Sequence, residues 1–222
     1  MDSNAVHSTT ALASLVDDWS AEKEAFKVHW GKVMMWIFLL SDTFIFSIFL
    51  TGYMNVRIST TEPWPNPSEV FALDIAGMHM PLILIAIMTF VLISSSGTMA
   101  LAVNYGYRNN KKKTVRLMAA TAMLGATFVS MQAFEWSKLI AEGVRPWANP
   151  MGAEQFGASF FMITGFHGMH VTAGVIYLSI VATKIRRGHY DGRPLHIVEI
   201  SGLYWHFVDL VWVFIFALFY LW

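Results

Sequence analysis

Five apolar stretches constrain this chain more than any other feature, because each is long enough to cross a membrane. They run near Trp30 to Tyr53, Met78 to Tyr105, Val115 to Ile140, Gln155 to Thr183 and Ile197 to Trp222. A hydrocarbon core of ~30 Å needs about 20 helical residues. A backbone in lipid must satisfy its own hydrogen bonds, which leaves helices or a closed barrel. No stretch keeps the in–out alternation of a barrel strand. The expected fold is all-α, an integral membrane bundle of five transmembrane helices. Composition agrees: 55% of residues are hydrophobic, 14% are charged, and the mean hydropathy is +0.49.

The segments between the spans differ in kind. Residues 55–77 contain Pro63-Trp64-Pro65-Asn66-Pro67, which is expected to be non-helical. Pro81 is placed in the first turn of the second span, where its missing N–H is tolerated. Residues 106–114 and 184–196 are basic, and Gly188 and Gly192 mark turns there. All but Arg57, Lys138 and Arg145 of the 15 lysines and arginines lie in the N-terminal flank or in and next to these two loops. The positive-inside rule then puts the N-terminus in the cytoplasm and the C-terminus outside.

Residues 1–29 read as a cytoplasmic tail, with residues 11–30 as a candidate interfacial amphipathic helix. Residues 30–222 form the membrane domain. The tail lacks the apolar core of a secretory signal. Trp30, Trp64, Trp136, Trp147 and Trp222 fall near span ends, as an aromatic belt would. The net charge of zero gives no bias toward nucleic acid. The absence of cysteine excludes disulfides and thiolate metal sites.

Ionisable residues inside a membrane are costly and need a reason. At ~1.5 Å per residue, Asp42 and His206 lie about 15 Å from their helix ends. His167 and His170 also fall near the middle, whereas Glu135 sits close to one surface. His167 and His170 share a helix face, as do His206 and Asp209. Three readings compete. The three histidines could ligate a metal or haem, since imidazole suits copper, iron and zinc; the glutamates of a di-iron Glu-x-x-His pattern are absent. Asp42, His206 and Asp209 could relay protons. All five could form a buried polar network that locks helices together. Ser94-Ser95-Ser96-Gly97-Thr98 and Gly165-Phe166-His167-Gly168 would let backbones approach closely.

Several of these segments resemble one family. Thr164-Gly165-Phe166-His167-Gly168-Met169-His170-Val171 with Gly174, and Tyr204-Trp205-His206-Phe207-Val208-Asp209-Leu210-Val211-Trp212, are similar to helix motifs of haem-copper oxidase subunit III. Ser41-Asp42 with Phe44 and Phe46, Gln132 with Glu135-Trp136, and Ser96-Gly97-Thr98 fit the same family in order, and Glu199 occupies a further motif position. The resemblance runs from about His29 to the C-terminus and is strongest to five-helix bacterial members. Seven-helix members carry glutamate where Asp42 stands.

The resemblance implies a non-catalytic subunit with no catalytic residue and no metal in this chain. Haem and copper would sit in partner subunits, and structural phospholipid would be bound. It implies direct contact with subunit I, then subunit II, a small subunit IV and a larger respiratory supercomplex, in a bacterial cytoplasmic membrane. Oxygen would be reduced to water with proton pumping, and cytochrome c is the expected donor. A quinol oxidase subunit III and a nitric oxide reductase accessory subunit are the alternatives. A stand-alone membrane redox protein or transporter using the midplane histidines is the alternative of a different class.

Overall fold

The computed structural model describes residues 29–75, 78–80, 82–190 and 195–222. The candidate interfacial helix, Pro81 and Gly192 lie outside them. The elements are α1 (Trp30–Ser59), a short α2 (Pro67–Val70), β1 (Leu73–Ile75), β2 (Met78–Met80), α3 (Ile83–Tyr107), α4 (Lys111–Ala141), α5 (Glu154–Arg186) and α6 (His196–Phe216), which widens into a π turn at Ala217–Leu221. Five of these helices are long and apolar enough to cross a membrane. The chain is a multi-pass membrane protein.

Helix ends follow local chemistry. Between α3 and α4 the chain reverses over three residues. Asn109 takes the left-handed conformation with φ +53°, which asparagine tolerates better than most residues. The Asn110 side chain caps α4 by accepting from the Lys113 amide at 3.3 Å. Asn110→Ala should lower stability by about 1 kcal/mol, read as a small fall in the unfolding midpoint. The C-terminal ends of α4 and α5 close alike. Gly143 and Gly188 both have positive φ, and their amides bond back to Ile140 and Ile185, while Val144 and His189 bond to Leu139 and Lys184. This double closure uses glycine where a Cβ would be strained.

Two expectations about the 55–77 stretch are corrected. α1 continues to Ser59, and Pro67 opens a helical turn because its missing N–H falls at a first-turn position. The second span begins at Ile83 rather than Met78, since Leu73–Ile75 and Met78–Met80 pair as an antiparallel hairpin. Lys138 donates to the carbonyl of Ala72 and pairs with Glu142 at 3.4 Å. Phe71 lies 4.4 Å from the Tyr220 ring, and Trp64 packs edge-on to Phe156.

Helices α3 to α6 pack into a four-helix bundle, while α1 stands off, its backbone coming close to no other helix over any length. It is joined through side chains, with Phe46 against Phe166 and Tyr53 stacked at 4.0 Å on Phe219. At its far end Arg57 donates to the carbonyls of Leu218 and Trp222 and lies over the Trp222 ring, a favourable place for a cation at a helix C-terminus.

The close approaches fall partly where expected: Ser95 is fully buried against Trp205, and Thr98 meets Thr121 of α4 at 2.7 Å. Gly97 and Gly168 have no neighbour within 4 Å of a would-be Cβ, and Gly165 meets only the Trp136 ring. Gly125 and Gly174 instead form the two sides of a notch that holds the Trp205 indole. Trp205 is fully buried, and its Nε1 donates to Ser95 at 2.9 Å. Trp30, Trp147 and Trp222 are exposed, whereas Trp64 and Trp136 are partly packed into the protein.

Candidate functional site

The polar residues in the middle of the spans fall into separate groups. The first joins α1 to α5. His170 Nε2 lies 3.1 Å from Asp42 Oδ2, bent away from ideal alignment, and His170 Nδ1 donates to the Phe166 carbonyl at 2.8 Å. A carbonyl only accepts, so Nδ1 carries a hydrogen. The contact sets an imidazole nitrogen against a carboxyl oxygen, which costs less in an apolar setting than burying either group alone. Tyr204 adds a tie, its hydroxyl donating to the His170 carbonyl at 3.0 Å.

The second group joins α3 to α6. Ser96 Oγ is 2.6 Å from His206 Nδ1, and Asp209 comes up beside the same hydroxyl. Asp209 Oδ1 has no partner among the described residues. Two further bonds brace the same helix pair, Trp205 to Ser95 and Trp212 Nε1 to Thr89 at 3.0 Å.

The third group lies toward the other end of α4. Gln132 Nε2 and the Tyr220 hydroxyl both reach Glu135 Oε2, at 2.7 and 3.1 Å. Glu135 is buried, and the π turn of α6 is what swings Tyr220 onto it. Wide helical turns of this kind often serve to re-aim a side chain.

His167 belongs to no group. Its ring stacks on Trp212 with centroids 5.4 Å apart, and Phe128 meets it edge-on. Neither ring nitrogen has a hydrogen-bond partner among the described residues. The expected single layer of two carboxyl groups and three imidazoles is therefore divided: His170 faces Asp42, His206 faces Ser96, and His167 sits in an aromatic box. Among the described residues no three histidine, aspartate or glutamate side chains converge on a point where a metal ion could sit.

The remaining motif residues have local roles. Ser41 is exposed and donates to its own helix at Phe38. Glu199 sits in the first turn of α6 beside Tyr107, where a carboxylate complements the helix dipole. Gly165 floors a shallow groove against Trp136, whose Nε1 donates to Thr164 at 3.3 Å. Sequence reasoning missed Ser96 as a site residue and Tyr220 altogether. Ser96 lies thirteen residues into the 25-residue α3, at the depth of His206, and that match was the available signal. Tyr220 had none, because its reach depends on the π turn.

Comparison with known proteins places this geometry in context. A family model described as cytochrome c oxidase subunit III matches residues 20–222. The chain is 31% identical over 191 residues to the probable quinol oxidase subunit 3 of Staphylococcus aureus, covering 86% of this chain and 88% of that one. It is 30% identical over 186 residues to the cytochrome c oxidase subunit 3 of Alkalihalophilus pseudofirmus, covering 84% of each.

Proposed function

Because the chain belongs to the cytochrome c oxidase subunit III family and is subunit III of a haem-copper oxidase, we propose that it works as a non-catalytic brace for the subunits that carry the redox centres. The observation that carries this reading is the dispersal of the buried polar groups among separate helix pairs. Asp42 is engaged with His170, His206 with Ser96, and Glu135 with Gln132 and Tyr220. Asp42–His170, Ser96–His206 and Glu135–Tyr220 each join two different helices, which is the arrangement of a structural network.

In this reading subunit I is the direct partner and holds haem and copper together with subunit II, and a small subunit IV completes the assembly. The exposed apolar faces of the five spans contact phospholipid and partner helices. The rigid bundle keeps the proton entry of subunit I intact. The clustering of basic residues in the N-terminal flank and in the loops after α3 and α5 supports a cytoplasmic N-terminus and an outward C-terminus, in a bacterial cytoplasmic membrane. The two relatives' names support either cytochrome c or a quinol as donor to the assembly.

The test is extraction of the chain from its membrane in mild detergent, followed by a haem spectrum. It should bring down a large haem-bearing subunit, and the chain separated from that subunit should carry no haem. Asp42→Asn should leave the haem spectrum of the assembly unchanged while shortening its active life under turnover. Haem or metal retained by the isolated chain would overturn the reading.

A further inference from the structure

The stand-off of α1 leaves a groove between α1 and α6, with a volume of about 570 Å³. It extends from Trp36 to Leu50 on α1 and from Leu203 to Phe214 on α6, about 21 and 16 Å of helix. Its rim faces outward, with Leu40 and Leu210 both more than half exposed. The lining is apolar apart from Thr43, Ser47 and His206. Thr43 bonds back to its own helix at Leu39. His206 turns Nδ1 toward Ser96 at 2.6 Å, and its Nε2 has no hydrogen-bond partner among the described residues. A nitrogen with an open hydrogen-bonding position thus stands beside a groove at mid-span, where there is no bulk water to satisfy it.

We propose that this groove binds an isoprenoid quinone, with the ring at His206 Nε2 and the tail along the α1–α6 cleft. A phospholipid chain would fill the length but offers His206 only hydrocarbon, since its headgroup lies about 15 Å away at the helix end. A partner helix is about 10 Å wide and packs through small residues, and no glycine or alanine lines this groove. A quinone has both parts that are needed, a slender apolar tail and a polar ring that resides within the hydrocarbon. Phe46 and Phe207 line the same groove and offer aromatic surface on which an aromatic head can pack.

The Ser96 hydroxyl can either donate to or accept from His206 Nδ1, so the imidazole can present Nε2 as a donor or as an acceptor. It can therefore give a hydrogen bond to a quinone carbonyl or take one from a quinol hydroxyl. Both redox forms fit the one site, and no electron transfer is invoked. The inference goes beyond the subunit III reading and stands on the groove whichever donor the oxidase uses.

The test uses the chain in its native complex and an azido-benzoquinone with a decyl tail. After illumination, mass spectrometry should find label on the Trp36–Leu50 and Leu203–Phe214 segments, displaced by excess decylubiquinone but not by phosphatidylcholine. His206→Leu should weaken labelling about tenfold, the loss of one hydrogen bond of roughly 1.4 kcal/mol, and His206→Gln should restore most of it. If His206→Leu does not assemble, Leu210→Trp fills the groove without touching the Ser96–His206 contact and should abolish the label. Label absent from both segments, unchanged in these variants, or displaced equally by phospholipid overturns the proposal.

Discussion

Gly125→Ala is expected to destabilise the bundle strongly, lowering its thermal unfolding midpoint by roughly 6–12 °C for a loss of about 3 kcal/mol. A Cβ at this position would overlap the outer atoms of the Trp205 ring and come within 2.8 Å of Val175. The indole cannot retreat. Trp205 is fully buried and hydrogen-bonded to Ser95 on α3, and its opposite side lies against Gly174 on α5. One methyl group therefore pushes on three helices, which is why the cost sits at the upper end for overpacking. The partner substitution makes the test specific. Trp205→Phe removes the Cζ2 and Cη2 atoms that the new methyl would strike, so the double variant should lose clearly less stability than the two singles summed. Ser95 keeps its own bond to the Leu92 carbonyl when the indole is gone. A wild-type midpoint for Gly125→Ala would show that the notch is not packed as described.

His170→Leu should be comparably severe, costing about 3–5 kcal/mol, because it leaves Asp42 in the membrane interior with no counterpart. Both side chains are largely buried, at 12% and 6% exposure. The pair is also the main polar attachment of α1, which otherwise holds to the bundle through aromatic side chains and Arg57. Replacing both residues by leucine should be far milder than replacing His170 alone, since an apolar pair carries no uncompensated polar group. The measurement is a double-mutant cycle on the assembled protein, read as thermal stability. Additive effects would mean that the two residues do not interact and that α1 is held by packing alone.

Much of this fold was legible because a membrane imposes a one-dimensional constraint. Length and hydropathy were enough to find five spans, since each must cross a fixed thickness while satisfying its own backbone. Position along each helix was legible too, as a rise per residue: Asp42, His170, His206 and Asp209 all lie in the middle third of their helices. Helix ends marked by glycine, as at Gly188, could be read because a left-handed residue is a local requirement.

Lateral arrangement was not legible. Depth says that Asp42, His167, His170 and His206 share a layer, and nothing in the spacing says which faces which. Asp42 meets His170 because α1 lies beside α5, and His206 meets Ser96 because α6 lies beside α3. His167, one turn from His170, instead enters the aromatic box of Phe128 and Trp212. Of the small residues the spacing offered, Ser95 and Gly174 face Trp205 whereas Gly97 and Gly168 face nothing, and Gly125 was passed over, because a small residue permits a close approach only where a bulky partner faces it. The hairpin of Leu73–Ile75 with Met78–Met80 was hidden among apolar residues that also suit a helix. Class, number of spans and the position of each polar group along its helix could be read from the chain alone, because a bilayer constrains a chain along its length. Only the tertiary structure decided the pairings, the notch around Trp205 and the groove beside His206, because these depend on the rotation of each helix about its own axis, which side-chain packing between helices sets.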